Sequence, residues 1–587
     1  MSAPLPRGGA LHELRRLIPY VRKHTKLVVL GLIFITISNI CSTAIPYVVG
    51  SMIDTLGSAS FTSTDVTWLI VKILALTIGS GFFMFATRRT IIVMSRYIEE
   101  ALRNDVVAAV KDQSQRFFHE RSTGSILAHF SNDISSVREF IGPAIMYTAN
   151  TITTFAFALS WMTSLDVLLT AAILIPVPLV ATLTYRLGKR IHSTYKVVQQ
   201  EYENITTHAQ ETASGIRVIR AYVRGAFEAT RFNALSKTYY EKNMQLARVQ
   251  SLMMPGMTVL FNISYIIVLT VGGYQVIQKT LTVGELTQFF IYLNQLLWPI
   301  AAIGWVTSMI QRGAASMGRL GALYEAPSDV TSPTSPHDVM ITGNIVFDHV
   351  SLSYDGTTQV LDDISITVPA GTSLGIVGAV GSGKSTLVGL VPRLYDVSTG
   401  RLFIEGVDVR DIDLHVLRSS IAIVPQEAFL FSESIRDNIR FGNPEATDED
   451  VVAAAMRAQL HQDILQLSEG YDTVVGERGV TLSGGQKQRT SLARAIAANP
   501  KILILDDALS AIDADTEDRV LRELEQIMKN RTTIIISHRL STVQQCTNIV
   551  VLENGRIIES GSHAELLAQN GTYASMFERQ QLEQQLS

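Results

Sequence analysis

Over the first half of the chain the apolar positions gather into six long runs, near Leu27–Val49, Val66–Thr87, Ile141–Met162, Val167–Leu187, Met253–Val276 and Leu286–Ile310. A bilayer core about 30 Å thick needs about 20 mostly apolar residues per helix, so each run is expected to span a membrane. The connections between runs alternate in length and charge. Those after the first, third and fifth runs are short (Gly50–Asp65, Thr163–Asp166, Ile277–Glu285), and Lys279 is their single basic residue. Those after the second and fourth are long, with eight Lys or Arg between Arg88 and Arg138 and eleven between Arg186 and Arg248. The excess of positive charge predicts that both long connections, and with them both termini, lie in the cytoplasm.

The long connections keep helical periodicity and contain no proline. They are expected to be hairpins in which the spans run on beyond the bilayer, turning in Phe117–Asp133 and Gln210–Glu228. Ahead of the first run, Leu11, Leu14, Leu17, Ile18 and Val21 recur at helical spacing among Arg15, Arg16, Arg22 and Lys23. That pattern predicts a helix lying in the membrane interface rather than a cleavable leader. The spans carry a few polar residues: Lys72, Asn150, Asn262, Asn294 and Gln295. Such groups either bond between helices or line a cavity, and sequence alone leaves both open. Pro299 is a candidate kink.

The pattern changes at residues 326–341, APSDVTSPTSPHDVMI, where three prolines among Ser, Thr and Asp predict a linker. Beyond it, Asn344–Phe347 and Ser351–Tyr354 alternate like strands, and from Thr372 a strand–loop–helix rhythm sets in, the mark of an α/β domain. The Gln-rich tail Glu578–Ser587 is expected to fray. The expected division is therefore an interfacial helix over 1–25, a six-helix membrane domain over 26–325, the linker, and a nucleotide-binding domain over 342–587. The formal charge of -4 gives no reason to expect nucleic acid as a partner. Cys41 and Cys546, the only two cysteines, fall in different predicted domains, which argues against a disulfide.

Residues 378–386 read GAVGSGKST, a G-x-x-x-x-G-K-[ST] loop between the apolar strand Leu374–Val377 and the helix former Leu387–Leu394. Gly378, Gly381 and Gly383 let the backbone bend so that its N–H groups, with those of Ser382 and Thr386, meet phosphate oxygens. Lys384 adds charge, and Ser385 offers a hydroxyl to Mg²⁺. KILILDD, Lys501–Asp507, reads as a buried strand with Asp506 at its end, placed to hold Mg²⁺ through water. Asp507 is placed to polarise the water that attacks the γ-phosphate of ATP.

Further motifs are similar to those of ATP-binding cassette (ABC) proteins. Leu482–Gln486 is LSGGQ, the family signature; Gln426 in IVPQ resembles the Q-loop glutamine; Gly476–Gly479 in VVGERG resembles the exporter X-loop; Asp513 in ALSAID resembles the D-loop aspartate; and His538 in IISHR resembles the switch histidine. Tyr354 sits where the family has an aromatic that stacks on adenine. The six runs with two long connections resemble the type I (type IV) exporter fold, so the resemblance covers nearly the whole chain. It implies a multidomain membrane protein, with an all-α membrane domain followed by an α/β ATP-binding cassette. It also implies an ATPase coupled to transport, with ATP and Mg²⁺ as cofactors, working as one half of a dimer. Ser483, Gly484, Gly485 and Gln486 of one subunit would close on ATP held by the other. Gln426 would link Mg²⁺ to the hairpin tips, and His538 would touch the γ-phosphate. The implied substrate is a small amphiphile, lipid or peptide.

One position departs from the pattern. The family has glutamate where this chain has Asp507, and the carboxylate arm is shorter by one methylene, about 1.5 Å. Misplacement of about 1 Å costs on the order of 10²-fold in rate. The departure resembles the degenerate-site subunit of heterodimeric bacterial exporters. It implies a different partner chain that carries the glutamate and uses this chain's intact signature. A homodimer, an importer on the same fold and an ATP-gated channel are the alternatives.

Overall fold

The computed structural model describes residues 10–58, 62–354, 356–476, 482–512, 514–529 and 531–586. Among them, five helices are long and apolar enough to cross a membrane: α1 (Thr25–Gly57), α2 (Ser63–Lys111), α5 (Val167–Ser214), α7 (Gly225–Ile277) and α8 (Val283–Tyr324). The third predicted run is the 21-residue helix α4 (Ile145–Leu165), long enough for a bilayer core at 1.5 Å per residue but studded with Thr148, Asn150, Thr151, Thr153 and Thr154. It begins later than expected because Phe140–Ala144, with Pro143 inside it, forms a π-turn.

The short connections are polar because they cap helices. Thr62 and Asp65 form a reciprocal capping box at the start of α2, and Thr282 and Glu285 form another at the start of α8. Asp166 Oδ1 accepts from the Leu169 backbone at 2.6 Å to start α5. Asp54, near the end of α1, accepts from the Thr282 hydroxyl at 2.7 Å and the Gly284 N–H at 2.8 Å, tying the first and last of these helices together.

The chain packs as two units. One holds residues up to Lys111 together with Thr123–Ala326; the other holds Asp112–Ser122 and everything from Pro327 onward. Within the first unit the leading segment is helical over Ala10–Leu14 and Ile18–Lys23, with a 3₁₀ turn between. It packs against protein: Leu17 is buried, Arg16 pairs with Glu325 at 2.7 Å, and the Tyr20 hydroxyl donates to Asp105 at 2.5 Å. The tip of the first long hairpin falls at 112–122, earlier than the expected Phe117–Asp133. The returning helix already starts at Thr123, and its π-turn His129–Asp133 is fixed to α8 through Arg319 and the buried Asp133. The second tip is the short helix α6 (Ile216–Ala221) between α5 and α7, within the expected Gln210–Glu228.

In the second unit the linker is irregular but anchored. The Thr331 carbonyl accepts from Arg393 at 2.9 Å, Ser332 donates to Asp413 at 3.1 Å, and the His337 N–H reaches the Asp411 carbonyl at 2.9 Å. The two predicted strand pieces are one bulged strand, β1 (Ile345–Ser353). It sits in an antiparallel sheet of order β2-β1-β4-β5, with β2 (Gln359–Val368), β4 (Thr399–Ile404) and β5 (Val407–Asp408). The larger sheet has order β10-β9-β3-β8-β7-β6. Its strands are β3 (Ser373–Val377), β6 (Ile421–Val424), β7 (Ile502–Asp506), β8 (Thr532–Ile536), β9 (Asn548–Glu553) and β10 (Arg556–Gly561). β3 and β8 are buried along their whole length, and β6, β7, β8, β3 and β9 run parallel, as continuous apolar strands covered on both faces do. The expected fraying of the tail is corrected: helix α11 (Thr572–Leu586) is held by the fully buried Tyr573, whose hydroxyl lies 2.8 Å from His563 Nδ1.

Asp133 supplies a test of the first unit. Burial raises its pKa, but hydrogen bonds from His129 and Arg319 outweigh that and hold it down to about 2. A depressed carboxylate stabilises fully above its unfolded value of about 4 and loses that contribution as pH falls through the folded value. Asp133→Asn is expected to lower the unfolding temperature of the detergent-solubilised protein at pH 7, by an amount that shrinks as pH falls from about 4 towards 2. Thermal scans across that range check it.

Candidate functional site

The site grows from the end of β3. The parallel strands end together, and ligands of such sheets bind beyond their carboxyl ends. After Val377 the chain turns through Gly378 and reaches Gly383 in the left-handed region, φ 99°, just before helix α9 (Lys384–Leu390). A Cβ on Gly383 would lie 2.9 Å from the Val360 carbonyl, and one on Gly378 would lie 2.1 Å from the Leu552 carbonyl, so neither position accepts a side chain. Ser382 Oγ is buried without a hydrogen-bond partner among the described residues. Lys384 is buried with its ammonium folded onto the Gly378 and Ala379 carbonyls at 2.9 and 2.8 Å. Burial lowers its pKa, opposed by the charges of Asp506 and Asp507.

β7 delivers both acids. Asp506, paired in register with Ile536, has its pKa raised by burial, while the Ser385 hydroxyl, Lys384 and His538 pull the other way. Asp507 is nearly buried at φ 48°, and its N–H is bonded to the Ile536 carbonyl at 2.9 Å. Its own carbonyl accepts from the Ser510 hydroxyl at 3.0 Å. Ser510 in turn accepts from Gln488, whose other amide atom receives the Ala511 N–H at 2.9 Å. His538 follows β8 and lines a cavity of about 440 Å³ with Gly378, Ala379, Val380 and the α11 residues Arg579 and Gln580. Gln580 spans the switch segment, accepting from the Leu540 N–H at 2.7 Å and donating to the His538 carbonyl at 3.2 Å.

The signature lies elsewhere on this unit. Ser483 caps helix α10 (Gly484–Ala497) in a reciprocal box with Gln486, and Gly484 and Gly485 rest on Ala511. Ser483 and Gly484 are exposed, and none of Ser483–Gln486 lines the cavity beside the P-loop. Gln426 is exposed just past β6. Tyr354 donates to Thr386 Oγ1 at 3.0 Å and packs edge-on against Tyr395, ring centroids 5.0 Å apart. His119, on the hairpin-tip helix α3 (Gln115–Glu120), stands 6.4 Å from Tyr354 and 6.2 Å from Tyr395. Asp513 and most of the X-loop, 477–479, lie outside the described residues.

The structure thus brings the expected loop, both acids and the histidine to one rim with the tyrosine beside the loop, and adds residues that the sequence reading did not name: Gln488, Gln580, Tyr395 and His119. Gln488 sits two positions beyond the signature, and that adjacency was the one available signal. The others come from remote segments with no motif of their own. Of the polar residues in the spans, Lys72, Asn262 and Asn294 are exposed, whereas Asn150 and Gln295 bond to α1.

The residues fit a nucleotide. A backbone cradle too tight for side chains, an orphaned serine hydroxyl and a lysine held on carbonyls are what a triphosphate would engage. Asp506 and Ser385, in contact with each other, would supply the one or two protein oxygens that Mg²⁺ takes when phosphates and water complete its shell. No cluster of three or more His, Cys, Asp or Glu among the described residues could hold a metal by itself.

Comparison with known proteins agrees with this division. Residues 28–300 match the ABC transporter transmembrane region family, and 361–510 match the ABC transporter family. The chain is 37% identical to the probable multidrug resistance ABC transporter ATP-binding/permease protein YheI of Bacillus subtilis (strain 168), covering 94% of this chain and 95% of that one. It is 32% identical to the ATP-dependent lipid A-core flippase of Syntrophus aciditrophicus (strain SB), covering 96% and 94%. Among solved structures, a bacterial Atm1-family ABC exporter with ATP bound superposes with a TM-score of 0.79 at 28% identity, covering 95% of this chain and 98% of that one.

Two substitutions test the cradle. Gly383→Ala is expected to abolish binding of a fluorescent ATP analogue at this chain's P-loop. Tyr354→Ala is expected to weaken it about tenfold, the worth of one stacked base. Fluorescence titration of the purified protein reads both.

Proposed function

This chain belongs to the ABC transporter family, in which ATP hydrolysis is coupled to transport, and we propose that it is one half of a heterodimeric exporter whose own ATP site is degenerate. Asp507 carries the proposal. Its backbone is pinned on both sides, by the Ile536 carbonyl and by the Ser510 hydroxyl that Gln488 holds, so the chain cannot slide forward to offset the missing methylene. A carboxylate about 1.5 Å short polarises the attacking water poorly.

The intact signature gives the second half of the reading. The exposed N-terminus of α10 presents N–H groups and a helix dipole to an anion, away from the cavity beside this chain's P-loop. It would complete a triphosphate held by a partner that has glutamate at the position of Asp507. In this chain Gly378–Thr386 would hold the phosphates, Ser385, Asp506 and Gln426 would hold Mg²⁺, and His538 would contact the γ-phosphate. The D-loop role stays with Asp513. Tyr354 would stack on adenine, with His119 behind it, so the hairpin tip would feel whether the base is present. The second tip bares Val218, Tyr222 and Val223, the last 87% exposed, an apolar surface suited to a second subunit. Both tips, both termini and the ATP-binding unit would face the cytoplasm.

A relative named for multidrug resistance and another named as a lipid flippase both favour an amphiphilic cargo. Retention of His538 favours a second reading, a homodimer in which Asp507 works slowly.

Asp507→Glu is expected to raise ATPase activity of this chain's own site by on the order of 10²-fold. In the pair, Lys384→Ala is expected to leave most turnover intact, whereas Ser483→Ala should nearly abolish it. Full ATPase activity from the wild-type chain alone would support the homodimer.

A further inference from the structure

Helix α11 forms one wall of the cavity beside the P-loop, whose lining also includes Gly378, Ala379, Val380 and His538. Its sequence explains the placement. Tyr573, Met576, Phe577 and Gln580 recur at helical spacing and make one face. Tyr573 is fully buried, Met576 and Phe577 pack on the same core, and Gln580 is half-buried, whereas Glu578, Arg579 and Gln581 are exposed. The first turn is fastened to β10. The Thr572 and Tyr573 N–H groups donate to the Glu559 carboxylate at 2.5 and 3.0 Å, and a Cβ on Gly571 would lie 2.3 Å from that carboxylate. Phe577 packs edge-on against His563, ring centroids 5.2 Å apart. The helix therefore carries Gln580 on a fixed support.

The segment that Gln580 meets bears His538. Upstream, His538 follows β8, whose Ile536 is paired in register with Asp506. Downstream, the short helix Leu540–Val543 starts without a side-chain cap from Arg539. Gln580 serves both sides: its Oε1 accepts from the Leu540 N–H at 2.7 Å, and its Nε2 donates to the His538 carbonyl at 3.2 Å. The two backbone groups demand opposite ends of the side chain. A neutral amide meets both, whereas a carboxylate has no donor and an ammonium no acceptor. Arg539, between the bonded groups, is itself paired with the buried Glu517. With the backbone held on both sides, the exposed imidazole of His538 keeps only its side-chain torsions.

We propose that Gln580 is a positioning residue for His538: it keeps the imidazole in place to meet the γ-phosphate, so that the carboxyl-terminal helix takes part in telling ATP from ADP. The role rests on the reading of His538 as a γ-phosphate contact.

The test uses the full-length protein, in its native assembly, in lipid nanodiscs with Mg²⁺. Displacement of TNP-ATP by AMP-PNP, which has a γ-phosphate, and by ADP, which has none, gives two affinities. The component of TNP-ATP binding that Lys384→Ala removes belongs to this chain's P-loop. Gln580→Leu and His538→Ala are each expected to weaken AMP-PNP about tenfold and to leave ADP within about twofold. The double variant should be no worse than His538→Ala, because the glutamine acts through the histidine. Gln580→Glu keeps an acceptor for Leu540 but sets a carboxylate against the His538 carbonyl, and should lose the same discrimination. A glutamine that only stabilises the fold would weaken both nucleotides together or lower the unfolding temperature alone, and either result overturns the role. Additive losses in the double variant overturn it too, as does discrimination intact in Gln580→Glu should Gln580→Leu fail to fold. Discrimination lost in His538→Ala but kept in both Gln580 variants sinks the positioning role alone. Discrimination kept in His538→Ala sinks the γ-phosphate reading and the role with it.

Discussion

Every backbone N–H and C=O carried into hydrocarbon must find a partner inside the protein, and that constraint organises the first half of this chain. It explains why the spans are helices and why the short connections spend Thr62, Asp166 and Thr282 on caps. It also explains why Pro46, within a span, sits beside a side chain that repairs the carbonyl it leaves free. The Ser42 carbonyl freed by Pro46 takes the Gln295 amide, and the neighbouring Thr43 carbonyl takes the Tyr292 hydroxyl at 2.9 Å. Repair by a side chain fixes that side chain's orientation.

In the second unit the same accounting is met by strands. Five parallel strands satisfy one another edge to edge, and their ends deliver a glycine loop, two acids and a histidine to one rim. The acids gain their character there from burial. Asp506 is pushed towards the neutral form, and Lys384 beside it towards loss of its proton. Each is a counter-charge to the other.

Spans, hairpins, linker and P-loop were legible in the sequence because each rests on a local signal: an apolar run, helical period, proline density or fixed glycine spacing. What stayed hidden depended on remote partners. The first hairpin tip was placed too late because nothing local marks Asp133 as fixed to Arg319, far along the chain. The third span starts late because a π-turn leaves no trace in hydropathy. The Gln-rich tail looked unstructured by composition, yet Tyr573 anchors it and Gln580 finds two backbone groups of the switch segment. The two cysteines are unpaired, Cys41 half-buried in the helical unit and Cys546 buried in the other, as their separation suggested.

That last helix has a practical corollary. Because one glutamine side chain clasps the peptide groups on both sides of Arg539, helix α11 is mechanically coupled to the rim that carries His538. A load or label placed on this helix would be felt by the backbone of the switch segment, whereas one placed on exposed loops far from it would not.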